Sequence, residues 1–185
     1  ILLTGTLAAC SGTAAPDVLT TSTILADITK NVAGDRLTVG SLVPIGVDPH
    51  SYQPTPQDTA QVSKSKVLVV NGAEYELFLE ALLASADGEG TLIEASTSLN
   101  LRSDAEHGTD PHLWLDPNNV IVYVENIRDG LIQFDPEGAE VYRANASAYI
   151  TQLGELDAWI NGQIAKIPPP RRLLVTNHEA FGYFA

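Results

Sequence analysis

Short runs of apolar and β-branched residues alternate along the first half of the chain with stretches in which apolar residues recur every three or four positions. The runs predict strands over 18–23, 37–43, 66–71 and 91–95, and the spaced stretches predict helices over 24–32, from 55 onward and over 77–86. The third run has four successive apolar residues, as in parallel strands that are covered on both faces. This alternation of strand and helix indicates an α/β fold with a parallel sheet.

Residues that start and stop helices mark several boundaries. Gly34 follows the first helical stretch, and glycine is the usual residue just past the end of a helix. Thr55 is followed by a proline and, three residues later, by an acidic residue, which predicts a helix start. Asp116 also stands before a proline, so we interpret it as the cap of a helix that runs to about 134. The segment 101–109 is polar and predicts turns.

One long helical pattern dominates the second half of the chain. It starts at the Asp-Pro pair at 135–136, and its apolar residues are spaced by three, four or seven up to about 166. Some 30 residues at about 1.5 Å each form a rod of roughly 45 Å, which exceeds one small domain. We therefore predict that this helix joins two lobes. Three prolines at 168–170 end it, and a strand over 172–176 then opens the second lobe.

The predicted organisation has four parts, and its fold class is two parallel-sheet α/β lobes joined by a long helix. The parts are the end of a signal peptide with a tether over 1–16, an N-terminal α/β lobe over 17–134, a linking helix over 135–167 and the start of an incomplete C-terminal α/β lobe over 168–185. The chain has no methionine and ends within an apolar stretch, so we expect a piece of a longer protein.

Composition and charge narrow the class of partner. Apolar residues make up 44% of the chain, which is enough for a real core, and the formal net charge is −13 with a pI near 4.4. Such acidity argues against nucleic acid, whose phosphates require basic patches. It is compatible with the collection of cations, although acidic surfaces also serve solubility alone.

The single cysteine, Cys10, excludes an internal disulfide. It closes the sequence Leu-Ala-Ala-Cys after an apolar run that is too short to span a membrane. This pattern is typical of the end of a bacterial lipoprotein signal peptide, in which the cysteine is lipidated and becomes the mature N-terminus. The alternative is a buried or incidental cysteine.

Three of the four histidines stand in closely similar settings. His50 and His112 each end an Asp-Pro-His triplet, and His178 follows a short apolar run. Imidazole is the commonest protein ligand for zinc, and three histidines with one oxygen or water complete a tetrahedral shell. A preceding proline restricts the backbone, so the ring is held with little ordering cost on binding. The alternative is that these are ordinary loop histidines, as we interpret His107 to be.

A zinc hydrolase is the catalytic alternative, because three histidines with a bound water form a catalytic arrangement. Its general base would be Glu179, the acidic residue beside a candidate ligand. The sequence has no glycine-rich phosphate loop and no Gly-x-Ser-x-Gly elbow. The candidate histidines are spread over more than a hundred residues and two predicted lobes, which favours holding an ion between lobes over presenting it to a substrate.

Three stretches of the chain resemble the metal-binding solute-binding proteins of bacterial zinc and manganese ABC transporters. They are DPHSYQPTP at 48–56, DPHLWLDP at 110–117 and HEAFGYFA at 178–185. The resemblance implies two α/β lobes joined by a rigid helix, with His50, His112 and His178 as metal ligands at their interface. It also implies a fourth ligand, a carboxylate from the second lobe, that lies beyond Ala185.

The function that this resemblance implies is a receptor without catalytic activity. It would be a monomer, anchored through lipid on Cys10 outside the cytoplasmic membrane or located in the periplasm, and it would deliver a divalent metal to an ABC permease. Three nitrogen ligands favour zinc, with manganese as the alternative. Two departures from the family pattern affect the choice of metal. Zinc-specific members often have a histidine-rich loop that is reduced here to Glu106 and His107, and manganese members tend to have glutamate as third ligand. A surface adhesin with a structural metal is the remaining alternative.

Overall fold

A four-stranded parallel sheet forms the centre of the structure. The computed structural model describes residues 15–86, 90–104 and 108–185. The strands are β1 (Val18–Thr20), β2 (Val39–Ser41), β3 (Val67–Val70) and β4 (Thr91–Glu94), and they lie in the order β2-β1-β3-β4. Each pair of neighbouring strands is parallel. The predicted α/β class with a parallel sheet is therefore confirmed.

Three of the helices begin or end at predicted capping signals, whereas the long helix predicted from 135–136 starts at Ala139, after a 3₁₀ turn over Pro136–Gly138. The helices of the described residues are α1 (Thr23–Ala33), α2 (Pro56–Lys64), α3 (Leu79–Ser85), α4 (Pro117–Phe134) and α5 (Ala139–Ile164). At the start of α2, the side chains of Thr55 and Asp58 each accept a hydrogen bond from the other residue's backbone N–H. Asp116 accepts from the backbone N–H of Asn118, at 2.8 Å, and so caps α4. Gly34 ends α1 with a φ of 59°.

β3 is buried on both faces, and its alternate side chains enter two separate cores. Val67 and Val69 pack in a cluster with residues of α1, α4 and α5, whereas Leu68 and Val70 pack with residues of α2 and α3. Successive side chains of a strand point to opposite faces, which explains the division. The helices therefore cover the sheet on both sides, and all four β3 side chains are at most 5% exposed.

α5 packs against α1 and α4 over residues 139–153. Tyr142, Ala146 and Leu153 are buried in the core that contains α1 and α4, whereas Leu156 and Trp159 are 44% and 62% exposed. Its 26 residues correspond to a length of about 39 Å. The role of this helix as a link between two lobes, and the other domain boundaries, stay predictions. Within the described residues, no helix combines the length and hydropathy that crossing a membrane requires.

The predicted strand over 172–176 is not formed. After the 3₁₀ turn Pro169–Arg171, the chain shows no strand pairing with any described residue. Leu173 and Val175 are each 82% exposed. A segment becomes a strand only when its backbone forms hydrogen bonds with an adjacent strand. An apolar composition alone does not provide such a partner. The strand prediction for this segment was therefore wrong.

The polar segment 101–109, predicted as turns, contains a short hairpin. β5 (Ser103–Asp104) pairs antiparallel with β6 (Gly108–Thr109), and the backbone N–H of Asp110 donates to the carbonyl of Arg102 at 2.9 Å. Strands of two residues are too short to show an alternating pattern, so periodicity could not predict them. The hairpin leads directly into the second Asp-Pro-His triplet.

Gly130 and Gly154 are a matched pair of helix glycines. A methyl group at Gly130 in α4 would lie 2.4 Å from Cδ1 of Ile93 on β4, whereas nothing lies within 4 Å of one at Gly154 in α5. Alanine is favoured over glycine in a helix by about 0.5–1 kcal/mol. We expect Gly154→Ala to raise the free energy of unfolding by up to about 1 kcal/mol. Gly130→Ala should lower it by about 1–3 kcal/mol, because the buried side chain of Ile93 or α4 itself must shift.

Urea denaturation of the two variants and of the unsubstituted chain measures whether each substitution raises or lowers the free energy of unfolding. Stabilisation by Gly130→Ala would contradict the close approach of α4 to β4.

Candidate metal centre

Two of the segments that build the site, the loop after β2 and the turn after β3, leave the carboxyl ends of parallel strands. β2 and β3 lie on opposite sides of β1, so the order in which strands are added reverses at β1, and a crevice is expected at the carboxyl ends of these strands. The loop after β2 carries His50, and the turn after β3 begins at Asn71. The triplet that ends at His112 follows the β5–β6 hairpin.

A buried polar network joins the ends of β1 and β3. The carboxylate of Glu76, a residue only 7% exposed, accepts from Thr21 Oγ1 at 2.5 Å and from the backbone N–H groups of Asn71 and Gly72 at 2.7 and 3.1 Å. The Oδ1 atom of Asn71 accepts from the hydroxyl of Tyr123 on α4 at 2.5 Å. Burial raises the pKa of Glu76, and the hydrogen bonds that it accepts oppose the rise.

This network extends to the second candidate histidine. Asn71 Nδ2 donates to the carbonyl of Pro111 at 3.1 Å, and the next residue, His112, is 6% exposed. Asp110 Oδ1 accepts from the backbone N–H of His112 at 3.0 Å and lies 2.8 Å from its Nδ1. The ring of Trp114 packs edge-on against the imidazole at 5.3 Å between centroids. His112 is therefore buried and held from several directions.

His50 sits on a more exposed turn of the same sequence. Asp48 Oδ1 accepts from the backbone N–H of His50 at 3.0 Å, and Asp48 Oδ2 accepts from Ser51 Oγ at 2.9 Å. The imidazole stands edge-on to Tyr75, with 5.2 Å between centroids. Partial burial lowers the pKa of His50, the neighbouring His112 lowers it further, and Asp48 opposes the change. His50 is therefore biased toward the neutral form, which is the form that binds metal.

His178 is exposed, and its segment is attached to the second turn. Thr176 Oγ1 donates to the carbonyl of His178 at 2.8 Å. The hydroxyl of Tyr183 donates to the carbonyl of Asp110 at 2.9 Å and accepts from the backbone N–H of Arg102 at 2.9 Å. These two bonds connect the segment that carries the third histidine to the hairpin and to the turn that carries the second.

The three imidazoles converge on one point. The Nε2 atom of His112 lies 3.2 Å from Nε2 of His50 and 3.0 Å from Nε2 of His178. One ring nitrogen of each histidine lies within 4.8 Å of one from both others. Tetrahedral zinc bonds of about 2.0–2.1 Å separate neighbouring nitrogens by roughly 3.3–3.4 Å. The arrangement therefore suits three nitrogen ligands of one metal ion.

Acidic groups share the cleft with these rings. The cleft has a volume of about 1160 Å³, and Glu74 and Glu179 line it together with the three histidines. Three neutral imidazoles would repel one another if each directed an Nε2 lone pair at the common point, and a cation placed there would remove that repulsion. A site of three nitrogens with nearby carboxylates can therefore hold a divalent transition metal as a Lewis acid, and its exposed side is open to a further oxygen ligand.

The structure brings together all three of the histidines that the sequence singled out. Glu179, the candidate general base, is exposed and lines the same cleft. Cys10 and His107 lie outside the described residues, so lipidation of Cys10 and the solvated position of His107 stay predictions. The fourth ligand also stays a prediction.

Sequence reasoning predicted that the chain turns at Gly72 after β3 but did not assign this turn to the site. Gly72, Ala73 and Glu74 have φ values of 78°, 52° and 62°, and this left-handed turn brings Tyr75 against the ring of His50. Consecutive positive φ values in non-glycine residues are costly and cluster at functional sites. A signal was present in the sequence, because Asn-Gly directly after a buried strand marks a turn at the edge where ligands bind.

Comparison with known sequences identifies one family. The family described as zinc-uptake complex component A, periplasmic (ZnuA) matches residues 18–185. The manganese-binding lipoprotein MntA of Halalkalibacterium halodurans is 42% identical over 168 residues, which are 90% of this chain and 56% of that protein. The iron-binding protein YfeA of Yersinia pestis is 38% identical over 91% of this chain and 55% of that protein. The chain thus spans little more than half the length of these relatives.

Solved structures show the same fold. Zn(II)-bound AdcA from Streptococcus pneumoniae matches with a TM-score of 0.83 and 32% identity, over 90% of this chain and 36% of that chain. The Mn-bound periplasmic metal binding protein from Candidatus Liberibacter asiaticus matches with a TM-score of 0.83 and 30% identity, over 90% of this chain and 64% of that chain. The resemblance seen in the three sequence stretches is therefore confirmed, and the chain belongs to the ZnuA family.

Proposed function

We propose that the protein is the solute-binding component of a metal ABC transporter and that it captures a divalent metal with His50, His112 and His178. The observation that carries the proposal is the approach of Nε2 atoms from two separate loops to within 3.2 Å of Nε2 of His112. The relatives support the same function, since they include the manganese ABC transporter substrate-binding lipoprotein PsaA of Streptococcus pneumoniae, 35% identical to this chain.

The proposed activity is binding and release, without catalysis. Three ligands delivered by three loops surround an ion, whereas hydrolytic zinc sites often place two histidines on one helix beside the general base. Glu179 adjoins a ligand, but the relatives are named as metal-binding or substrate-binding lipoproteins and not as hydrolases. The hydrolase alternative therefore gains no support from the family.

The favoured cargo is zinc, with manganese as the alternative. A ligand set dominated by imidazole nitrogen suits zinc, whereas manganese is better served by carboxylate and carbonyl oxygens. The nitrogen separations of 3.0 and 3.2 Å are close to those of a tetrahedral zinc site. Two relatives are named for manganese and iron, and another is solved with zinc bound. The preference for zinc therefore rests on the ligand set of this chain.

The cellular setting follows from the same family. We propose a monomer anchored by lipid on Cys10 outside the cytoplasmic membrane, or held in the periplasm, that passes its metal to the permease and ATPase of the transporter. A second α/β lobe beyond Ala185 would supply a carboxylate as fourth ligand. The relatives named as lipoproteins support the anchor, and the greater length of those relatives supports the second lobe.

Removing the three imidazoles tests the site. We expect simultaneous replacement of His50, His112 and His178 by alanine to abolish stoichiometric zinc binding by the full-length chain, because no nitrogen ligand remains. Elemental analysis after dialysis and isothermal titration calorimetry measure the loss. His107→Ala, which changes a histidine that we assign to solvent, is the matched control and should bind like the unsubstituted chain. Retention of one tight zinc ion by the triple variant would exclude this site.

Competition between metals tests the cargo. Titration of the full-length chain with manganese in the presence and absence of zinc should show zinc displacing manganese, because the nitrogen ligands favour zinc. A chelator of known affinity gives both dissociation constants. Tighter binding of manganese than of zinc would reverse the assignment and leave the capture function intact.

The pH dependence follows from the neutral form of the ligands. Protonation of an imidazole removes its metal-binding lone pair, so zinc affinity should fall as the pH drops below about 6.5, the ordinary histidine pKa. The pKa of His50 is lowered, so this ligand should protonate only at lower pH than that. We expect a loss of about tenfold per pH unit for each histidine that protonates, measured by chelator competition between pH 7.5 and 5. An affinity independent of pH over this range would argue against imidazole ligands.

A further inference from the structure

The sequence Asp-Pro-His occurs twice in the chain, and the two aspartates make different bonds. In both turns the carboxylate accepts from the backbone N–H of the histidine, at 3.0 Å in each. Asp110 Oδ1 also lies 2.8 Å from Nδ1 of His112. Asp48 instead accepts from Ser51 Oγ at 2.9 Å, and no hydrogen bond joins it to the ring of His50 within the described part of the chain. Only the second turn therefore holds its imidazole.

With Asp110 as a carboxylate, the ring of His112 is the donor in the bond between them. An ionised carboxylate is only an acceptor, so the proton between the two atoms belongs to Nδ1 of His112. A neutral imidazole with a proton on Nδ1 carries its lone pair on Nε2. That Nε2 atom is the one that lies 3.2 and 3.0 Å from Nε2 of His50 and His178. The carboxylate therefore selects the tautomer that a metal in this cleft requires.

Asp110 is itself held in place by its neighbours. Its backbone N–H donates to the carbonyl of Arg102, and its own carbonyl accepts from the hydroxyl of Tyr183, both at 2.9 Å. Gly182 passes so close that a methyl group there would lie 2.4 Å from Asp110 Oδ2. The carboxylate thus stands between the hairpin, the second turn and the segment that follows His178, where it has little room to turn.

We infer that Asp110 is a positioning residue for the metal, whose carboxylate holds the Nδ1–H of His112 so that Nε2 faces the ion before the ion arrives. The inference rests on the proposed function and assigns the pre-organised part of the site to the second turn. Partners of this kind fix the orientation and basicity of a ligating histidine, and their loss typically costs about 10–100-fold in metal affinity. His50, on an exposed turn without such a partner, is the adjustable ligand.

Asp110→Asn and Asp48→Asn form a matched pair of variants, since each removes one charge from one copy of the same turn. In the full-length chain, we expect Asp110→Asn to weaken zinc binding by about 10–100-fold. Asp48→Asn should cost less, because Asp48 supports only the backbone of its histidine. Zinc titration against a competing chelator measures both losses, and thermal melting of each metal-free variant shows whether it is folded. Equal losses in the two variants, or no loss in Asp110→Asn, would overturn the inference.

The tautomer of His112 provides a readout that a purely structural role of Asp110 would not change. Long-range ¹H–¹⁵N correlation spectra of the metal-free, unsubstituted chain should show His112 protonated at Nδ1 and not at Nε2, and Asp110→Asn should shift the population toward Nε2–H. A proton on Nε2 in the unsubstituted chain would overturn the inference, even if the variant does not fold. Failure of that chain to bind zinc would instead refute the proposed function, whatever the tautomer.

Discussion

The burial of β3 on both faces is the constraint on which the site depends. Because helices cover both sides of this strand, its polar chemistry is confined to its carboxyl end, where Asn71 follows the last buried valine. The buried amide and the carboxylate of Glu76 must be hydrogen-bonded there, since an unpaired buried polar group costs about 1–3 kcal/mol or more. Asn71 meets this requirement by bonding Tyr123 on α4 and the carbonyl of Pro111. The same bonds that satisfy the end of the strand therefore place His112.

The three histidines differ in how firmly the fold holds them. His112 is buried and bonded through Asp110, whereas His50 and His178 are exposed on their loops. A rigid ligand lowers the ordering cost of capture, and exposed ligands can leave the ion without disturbing the core. The proposed binding and release of a metal ion would be served by this division. Release of the proposed metal through movement of exposed loops would also be compatible with a long helix, α5, that is packed against α1 and α4.

The family relationship and the ligand geometry carry different parts of the functional argument. Two relatives are named for manganese and iron, and a third is solved with zinc bound, so the shared fold does not by itself select the metal. Selection has to come from the number of nitrogen and oxygen ligands and from the groups that orient them. In this chain those features are three imidazoles and one carboxylate aimed at a ring nitrogen.

The sequence by itself determined the class of fold, most element boundaries and the candidate ligands. These follow from local causes: the strand and helix periods, the caps at Thr55 and Asp116, the glycine after α1, and three histidines in recurring settings. Only the tertiary structure decided the rest. It showed that 172–176 pairs with no described strand, that 101–109 contains a hairpin, and that Glu76, Asn71 and Tyr123 form one network. It also distinguished two identical triplets, since only Asp110 reaches the ring of its histidine. Strand pairing, burial of a charge and the reach of a side chain depend on partners far away in the sequence, and no local pattern contains them.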